Sequence, residues 1–404
     1  VTTRSGDRSL LRRMNLLATL RCAGEVPKTI AAFAAATGLS RTAAEAVVLD
    51  LVERGWLLED GQEGHPGAGR PARHYRVHAE SGLLLGMDIG PNNIVVTVTD
   101  LLGEPLASVH RTVEPGASAP ERLDFAVGVA EEALAAAGKQ LADVWIAGVG
   151  TPGIVNRGRV EQVMTGGDFP DPDLAAKLRS RLGCPVLLEN DCNLAAVAER
   201  WRGVARDVDD MVFVLSGNRT SAGLLLAGKL YRGHSGGAGE IGALSRLGWD
   251  EAPTHLEALR VEGKTVRREH VFALAAQGDP KAVAAVDAFS QGLAFGIAAL
   301  ALALDPEVVV IGGGIVRAGE TLLTPLRRYV NDYTYSRIST VHVSSLGNQS
   351  VSLGAVRFAL DAIDAFLERT VEVSSSFPVP EAATFSDIDA PVLRKGEARA
   401  SATR

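Results

Sequence analysis

Cysteine is scarce in this chain. Cys22, Cys184 and Cys192 are too few and too irregularly spaced for a disulfide framework or a CxxC metal cluster, which points to a reducing, cytoplasmic setting. Long apolar runs are lacking too. The longest, residues 292–304, falls short of the roughly 20 residues of a membrane span, and Asp287, Ser290 and Gln291 precede it, so it reads as a buried helix and no membrane role is expected. Arg4, Arg8, Arg12 and Arg13 break up the apolar residues of the N-terminus, and no small-residue cleavage site follows, so no secretory signal is expected. An excess of positive charge is absent as well, since the net charge of −7 argues against a surface coated by nucleic acid. That average conceals an asymmetry. Residues 1–80 carry eleven Lys/Arg against nine Asp/Glu, so any phosphate-facing surface belongs at the front.

What is present is the composition of a globular α/β protein, 46% hydrophobic and 22% charged, long enough for two or three domains with separate cores. Leu10, Leu11, Met14, Leu17, Ala18 and Leu20 recur at helical spacing and predict a first helix over residues 9–23. A second is expected over residues 29–37, closed by Gly38, and a third over residues 41–54, with Ser40 as its N-cap and Gly55 at its end. Residues 56–58 and 74–77 read as short strands flanking a Gly/Pro-rich loop, the wing of a winged helix-turn-helix. From Leu83 the texture changes to strands alternating with helices, in two successive sets, which predicts a two-lobed α/β unit. The expected division is residues 1–80, residues 81–370 and a mobile tail over residues 371–404.

The motifs in the second part follow one another in a specific order. They are Asp88-Ile89-Gly90, Gly148-Val149-Gly150-Thr151-Pro152-Gly153, Glu189-Asn190-Asp191-Cys192-Asn193, Gly228-Lys229-Leu230-Tyr231-Arg232-Gly233, Gly239-Glu240-Ile241-Gly242 and Ile311-Gly312-Gly313-Gly314. Over residues 9–368 the chain resembles the ROK family of repressors, open reading frames and kinases. The resemblance implies an actin-like ATPase (sugar-kinase-like) fold with a sugar between the lobes.

In the kinases of that family, two glycine-rich loops wrap the nucleotide phosphates with backbone N–H groups. Here Pro91 and Asn92 stand where the first loop has Gly and Thr, and Pro91 removes a donor outright. Arg219 stands at a glycine position of the second loop. Phosphotransfer depends on that positioning, so a pseudo-kinase without a nucleotide cofactor is expected. The glycines of Ile311–Gly314 read either as a retained adenosine edge or as a tight strand-to-helix turn.

The resemblance places the sugar contacts at Asn190, Asp191, Glu240 and Glu257. Asn190 and Asp191 follow a strand's C-terminal end, where α/β proteins bind ligands. Asp191 corresponds to the kinases' general base and is read here as a vestigial base acting as a hydrogen-bond acceptor, or else as an N-cap of the following helix. Ala243 replaces a family histidine, and residues 248–257 lack the family's zinc cysteines, so no metal is expected. His255 reads as an ordinary solvated histidine. Residues 165–169 depart from a family Asn and Trp that shape the pocket, which leaves the identity of the sugar open.

At the other end, Ser40, Arg41 and Thr42 resemble the start of the family's recognition helix, which directs its first residues to base edges and phosphates. Arg70 and Arg73 match the family's wing, where a thin arginine-bearing loop suits the minor groove; the bland alternative is a solvated linker. Glu45 suits either a cytosine amino group or solvent. The expected partners are a double-stranded operator with an inverted repeat, a sugar or sugar-derived effector, and a second copy in a homodimer or homotetramer. The resulting expectation is a DNA-binding repressor of carbohydrate-related genes. The alternatives are an active ATP-dependent sugar kinase carrying a DNA-binding domain, and a regulator without a small-molecule input.

Overall fold

The computed structural model describes residues 3–24, 26–62, 72–162, 170–217, 219–261, 264–334, 340–370, 379–381 and 385. At the front, α1 (Thr3–Cys22), β1 (Lys28–Thr29), α2 (Ile30–Thr37), α3 (Arg41–Glu53), β2 (Leu57–Gln62) and β3 (Arg73–Val77) form three helices and a small antiparallel sheet in the order β1-β3-β2. This is the winged-helix arrangement. Its core is Leu16, Phe33, Val48, Leu51, Trp56 and Tyr75; of the apolar face expected on the first helix, Leu10, Leu11 and Met14 are exposed, and Leu16 is the residue buried. Thr29 caps α2 through Ala32 N, and Ser40 caps α3 through Ala43 N, each at 3.2 Å.

The first lobe comprises β4 (Leu83–Ile89), β5 (Asn93–Thr99), β6 (Pro105–Thr112), α4 (Ala119–Ala136), β7 (Val144–Thr151), β8 (Ile154–Asn156), β9 (Arg159–Gln162), α5 (Leu174–Leu182), β10 (Val186–Asn190) and α6 (Asp191–Arg202). Its sheet runs β10-β7-β4-β5-β6, antiparallel through β4, β5 and β6 and parallel through β4, β7 and β10. The second lobe comprises β11 (Met211–Ser216), β12 (Thr220–Leu226), β13 (Lys229–Leu230), α7 (Ala252–Glu257), β14 (Arg260–Val261), β15 (Lys264–Thr265), α8 (Arg268–Ala276), α9 (Pro280–Leu304), β16 (Val308–Gly312), α10 (Glu320–Thr334), β17 (Thr340–Val343) and α11 (Ser350–Thr370). Its sheet, β13-β12-β11-β16-β17, repeats the same pattern of two antiparallel and two parallel connections. This duplicated topology brings the ends of β4, β7 and β10 in one lobe, and of β11 and β16 in the other, to a shared cleft. Helices α6 and α11 pack together between the sheets, where Leu194, Ala195, Val356 and Ala359 share a core with β11 and β16.

Several sequence expectations change here. The apolar run at residues 292–304 is the second half of α9, a helix of 25 residues that is long enough and apolar enough to cross a membrane. It is spent instead on the lobe's core, with Leu293, Ala294, Ile297 and Leu300 buried against its neighbours. Helix α6 starts at Asp191, so Asn190 rather than Asp191 supplies the cap. Of the tail expected to be mobile, residues 379–381 and 385 are described, and Phe385 is anchored edge-on against Phe366 with ring centroids 5.8 Å apart. Arg70 and residues 165–169 lie outside the described residues.

Candidate effector and DNA sites

The cleft site grows from the end of β10. Asn190 is 4% exposed and uses both ends of its amide. Its Oδ1 accepts from Asn193 N at 3.0 Å to cap α6, while its Nδ2 donates to Gly153 O at 2.9 Å and lies 3.5 Å from Glu240 Oε1. Asp191 opens α6, and its Oδ1 accepts from Cys192 N at 2.8 Å. Burial pushes its carboxyl up to about 6. Burial also raises Glu240, as does the nearby Asp191 charge, while the Arg219 guanidinium opposes the rise. Asp88, beside Gly150 in the β4–β7 register, is raised well above the ordinary range by burial and by Asp191.

Three carboxyls and one amide therefore converge at the strand ends. Each presents oxygens that suit the paired hydroxyls of a sugar. Thr151 ends β7 opposite Asn190, and its buried hydroxyl has no hydrogen-bond partner among the described residues. Asp88 and Thr151 were legible only as members of motifs; their convergence with Asn190 depends on strand pairing.

Beneath the site lies an ion pair that sequence reasoning missed. Glu189 is 2% exposed; its Oε1 accepts from Asn190 N at 2.8 Å and Asn193 Nδ2 at 3.0 Å, and its Oε2 receives Arg232 Nε at 2.5 Å. A separation of 43 residues hides this pair from any local pattern.

Glu257, the fourth expected sugar contact, makes an ion pair of its own. Its carboxylate is held by Arg268, with Nε at 3.1 Å, and Arg268 also donates to Gly217 O at 2.8 Å. The sequence placed Glu257 by its distance from a lost cysteine, and in this chain an arginine claims it instead. Together with Asn93, Ser216, Phe272 and Gly314, Arg268 and Gly217 line an open cavity of about 400 Å³ between the lobes.

At the front, Arg41, Thr42, Glu45 and Leu49 form the exposed face of α3, while Ala44, Val48 and Leu51 face inward. Arg54 Nε at 2.7 Å and Arg12 at 3.1 Å neutralise Asp50, the acid farther along the helix. Ser40 is occupied as a cap. Arg73 is exposed at the start of β3 and pairs with Glu59 at 3.3 Å.

The sequence profile of the ROK family matches residues 84–246 and 252–362. The chain belongs to the ROK family. Among its relatives is the xylose repressor of Bacillus subtilis (strain 168), 23% identical, with 80% of this chain and 89% of that protein aligned. A glucokinase of Streptomyces coelicolor (strain ATCC BAA-471 / A3(2) / M145) is 28% identical over 69% of this chain and 98% of its own length. A crystal structure of a ROK family transcriptional regulator, a homolog of the E. coli MLC protein, covers 90% of this chain and all of that one with a TM-score of 0.67 at 21% identity. The likeness to this regulator is long enough to reach into the front domain. The glucokinase likeness covers only about the length of the two lobes.

Two glycine amides near the cleft are taken up locally. The Gly90 amide donates to Asn93 O at 3.0 Å, and the Gly217 amide donates to Arg219 O at 3.0 Å, so each closes its own turn. Beneath the first loop, Arg122 donates to the carbonyls of Gly90 and Pro91 at 3.0 and 2.8 Å. Gly313 sits at φ +92°, where any Cβ would meet the Ser216 carbonyl, so this glycine serves the turn; Gly314 borders the open cavity.

Trp249 is fully buried, donates from Nε1 to Leu293 O at 3.0 Å, and packs over Gly296 of α9. An indole thereby ties residues 248–257 to the lobe. His255 and Ala243 are exposed, and among the described residues no group of three or more His, Cys, Asp or Glu side chains could hold a metal ion.

Proposed function

We propose that this ROK protein is a transcriptional repressor of carbohydrate-related genes whose operator affinity is set by a sugar bound through Asn190, Asp191 and Glu240. The observation that carries the reading is a contrast within one cleft. The sugar-facing groups are gathered at the strand ends, while the Gly90 and Gly217 amides are consumed in their own turns. Phosphoryl transfer depends on positioned donors around the nucleotide, and these donors are spent. We therefore read the chain as a pseudo-kinase, with Asp191 accepting hydroxyl hydrogen bonds rather than acting as a base. The name of the Bacillus xylose repressor supports a pentose or hexose as effector.

The front domain supports the DNA half of the reading. Arg41 and Thr42 are exposed at the start of α3, whose other face is buried, and Arg73 edges the wing with Arg70 nearby in sequence. Two such heads on a symmetric dimer would read an inverted repeat.

The test is operator selection from random duplex DNA, followed by affinity measurements with D-xylose, D-glucose and their phosphates. Arg41→Ala is expected to weaken operator binding and to reduce the salt slope by about 1, the signature of one lost phosphate contact. Glu240→Ala is expected to weaken sugar binding about ten-fold, as a charged hydrogen-bond acceptor is lost, and to leave sugar-free operator affinity unchanged. Operator binding that no sugar alters would favour the regulator without a small-molecule input. The cavity beside Gly314 favours the kinase alternative. ATP turnover on any sugar of the panel that disappears in Asp191→Asn would establish it and overturn the pseudo-kinase reading.

A further inference from the structure

Helix α6 has the candidate effector site at one end and the seat of the front domain at the other. Asn190 caps its first turn, and its twelve residues span about 18 Å. Its last residues, Trp201 and Arg202, grip the turn between β5 and β6. That turn is stiff: Asp100 Oδ1 accepts from Leu102 N at 2.8 Å and Glu104 N at 2.9 Å, and Gly103 adopts φ +82°. A Cβ at Gly103 would stand 2.8 Å from the Trp201 ring and 2.7 Å from Leu360 of α11, so turn and helices are in close contact. Arg202 stacks over Trp201 at 4.2 Å, donates to Gly103 O at 3.0 Å and pairs with Glu104.

The turn then enters the front domain. Leu102 packs into the core of Leu16, Phe33, Trp56 and Tyr75, beside Leu367 from the end of α11. Leu101 N donates to Ala79 O at 3.1 Å in the connector, tying the turn to the chain just after β3. The head core is therefore completed by two side chains of the sensor, and one of them stands on a turn clamped by α6.

We propose that α6 and the 100–104 turn are the mechanical link through which occupancy at Asn190 changes the seating of the front domain. The Asn190 amide is shared between the cap of α6 and the cleft, so a ligand that draws its Nδ2 from Gly153 also disturbs the hydrogen bond holding the first turn. A packed helix moves as a rigid body. A displacement at its start therefore arrives at Trp201 and Arg202 undiminished, and Leu102 carries it into a core that tolerates little misfit. This rests on the reading of Asn190 as an effector contact.

Hydrogen exchange on the full-length chain, without sugar or DNA, tests the link. Asn190→Ala removes the cap and is expected to speed exchange about five-fold in the first turn of α6 and about two-fold in α3. In an Arg202→Ala background, the same change is expected to speed exchange in α6 alone. Asn190→Ser, which can still cap and adds no charge beside Glu240, is expected to leave α3 at the wild-type rate. Should Asn190→Ala fail to fold, Asn190→Gly, a milder cap loss, takes its place. An α3 that exchanges at the wild-type rate while α6 opens would overturn the link, and so would an equal acceleration of α3 with and without Arg202. Because neither ligand is present, a missing operator or effector would count against the proposed function and leave this result standing.

Discussion

Arg232→Ala is expected to destabilise the chain by about 3–5 kcal/mol, the cost of leaving one partner of a buried ion pair uncompensated. Glu189 would remain 2% exposed with its Oε2 unpaired, while its Oε1 still holds Asn190 N and Asn193 Nδ2. Arg232 also lies over the Phe358 ring at 5.7 Å, so the truncation removes packing from α11 as well as charge. Chemical denaturation of the full chain measures the loss. Arg232→Lys, which keeps the charge but not the guanidinium geometry, is expected to recover only part of it. An Arg232→Ala variant within 1 kcal/mol of wild type would show that solvent reaches Glu189 and that the pair does not support the site.

Asp191→Asn is expected to raise stability at pH 7 by on the order of 2 kcal/mol while weakening sugar binding about ten- to a hundred-fold. The sign follows from the carboxyl being pushed from its ordinary 3.8 up to about 6 by burial. Between those values the folded chain holds a proton that the unfolded chain has released. The wild-type contribution from this group therefore falls as pH rises from 3.8 through about 6, and the cost remains at neutral pH. The amide carries no charge to bury, so the variant should show no such decline from this position. Asp88 and Glu240 lie within electrostatic reach of Asp191, so the three titrate as a coupled set and the transition in the wild type is broad. For sugar binding the direction is opposite: affinity rises with pH as Asp191 ionises, and Asp191→Asn flattens that dependence. Thermal unfolding and sugar titrations from pH 4 to 8 separate the two effects. Equal stability of the two proteins at pH 7 would show that the Asp191 charge is solvated.

Sites that are expensive to fold and useful for binding are also where local sequence reasoning reached its limit. Asn190 was expected from the sequence as a sugar contact, and its role as a cap was not legible, since only the start of α6 reveals which of two adjacent polar residues faces the orphan N–H groups. Glu257 was placed by its spacing from a cysteine this chain lacks, and Arg268, eleven residues on, claims it. Trp249 gave no signal of its role, because that role depends on Gly296 lying opposite it on α9.

The sequence by itself determined the order of elements, the front helices ahead of two lobes, and the presence of Pro91, Asn92 and Arg219 in the glycine-rich loops. These are local properties, written in hydrophobic period, capping residues and motif spacing, and they survive wherever the chain folds. Only the tertiary structure decided which of the acids share the cleft, that Glu189 is neutralised by Arg232, and that Leu102 and Leu367 complete the front domain's core. Each of these pairings joins residues far apart in the chain. Burial in the assembled fold sets their energies, and that burial does not exist until both lobes and the head have closed on α6 and α11.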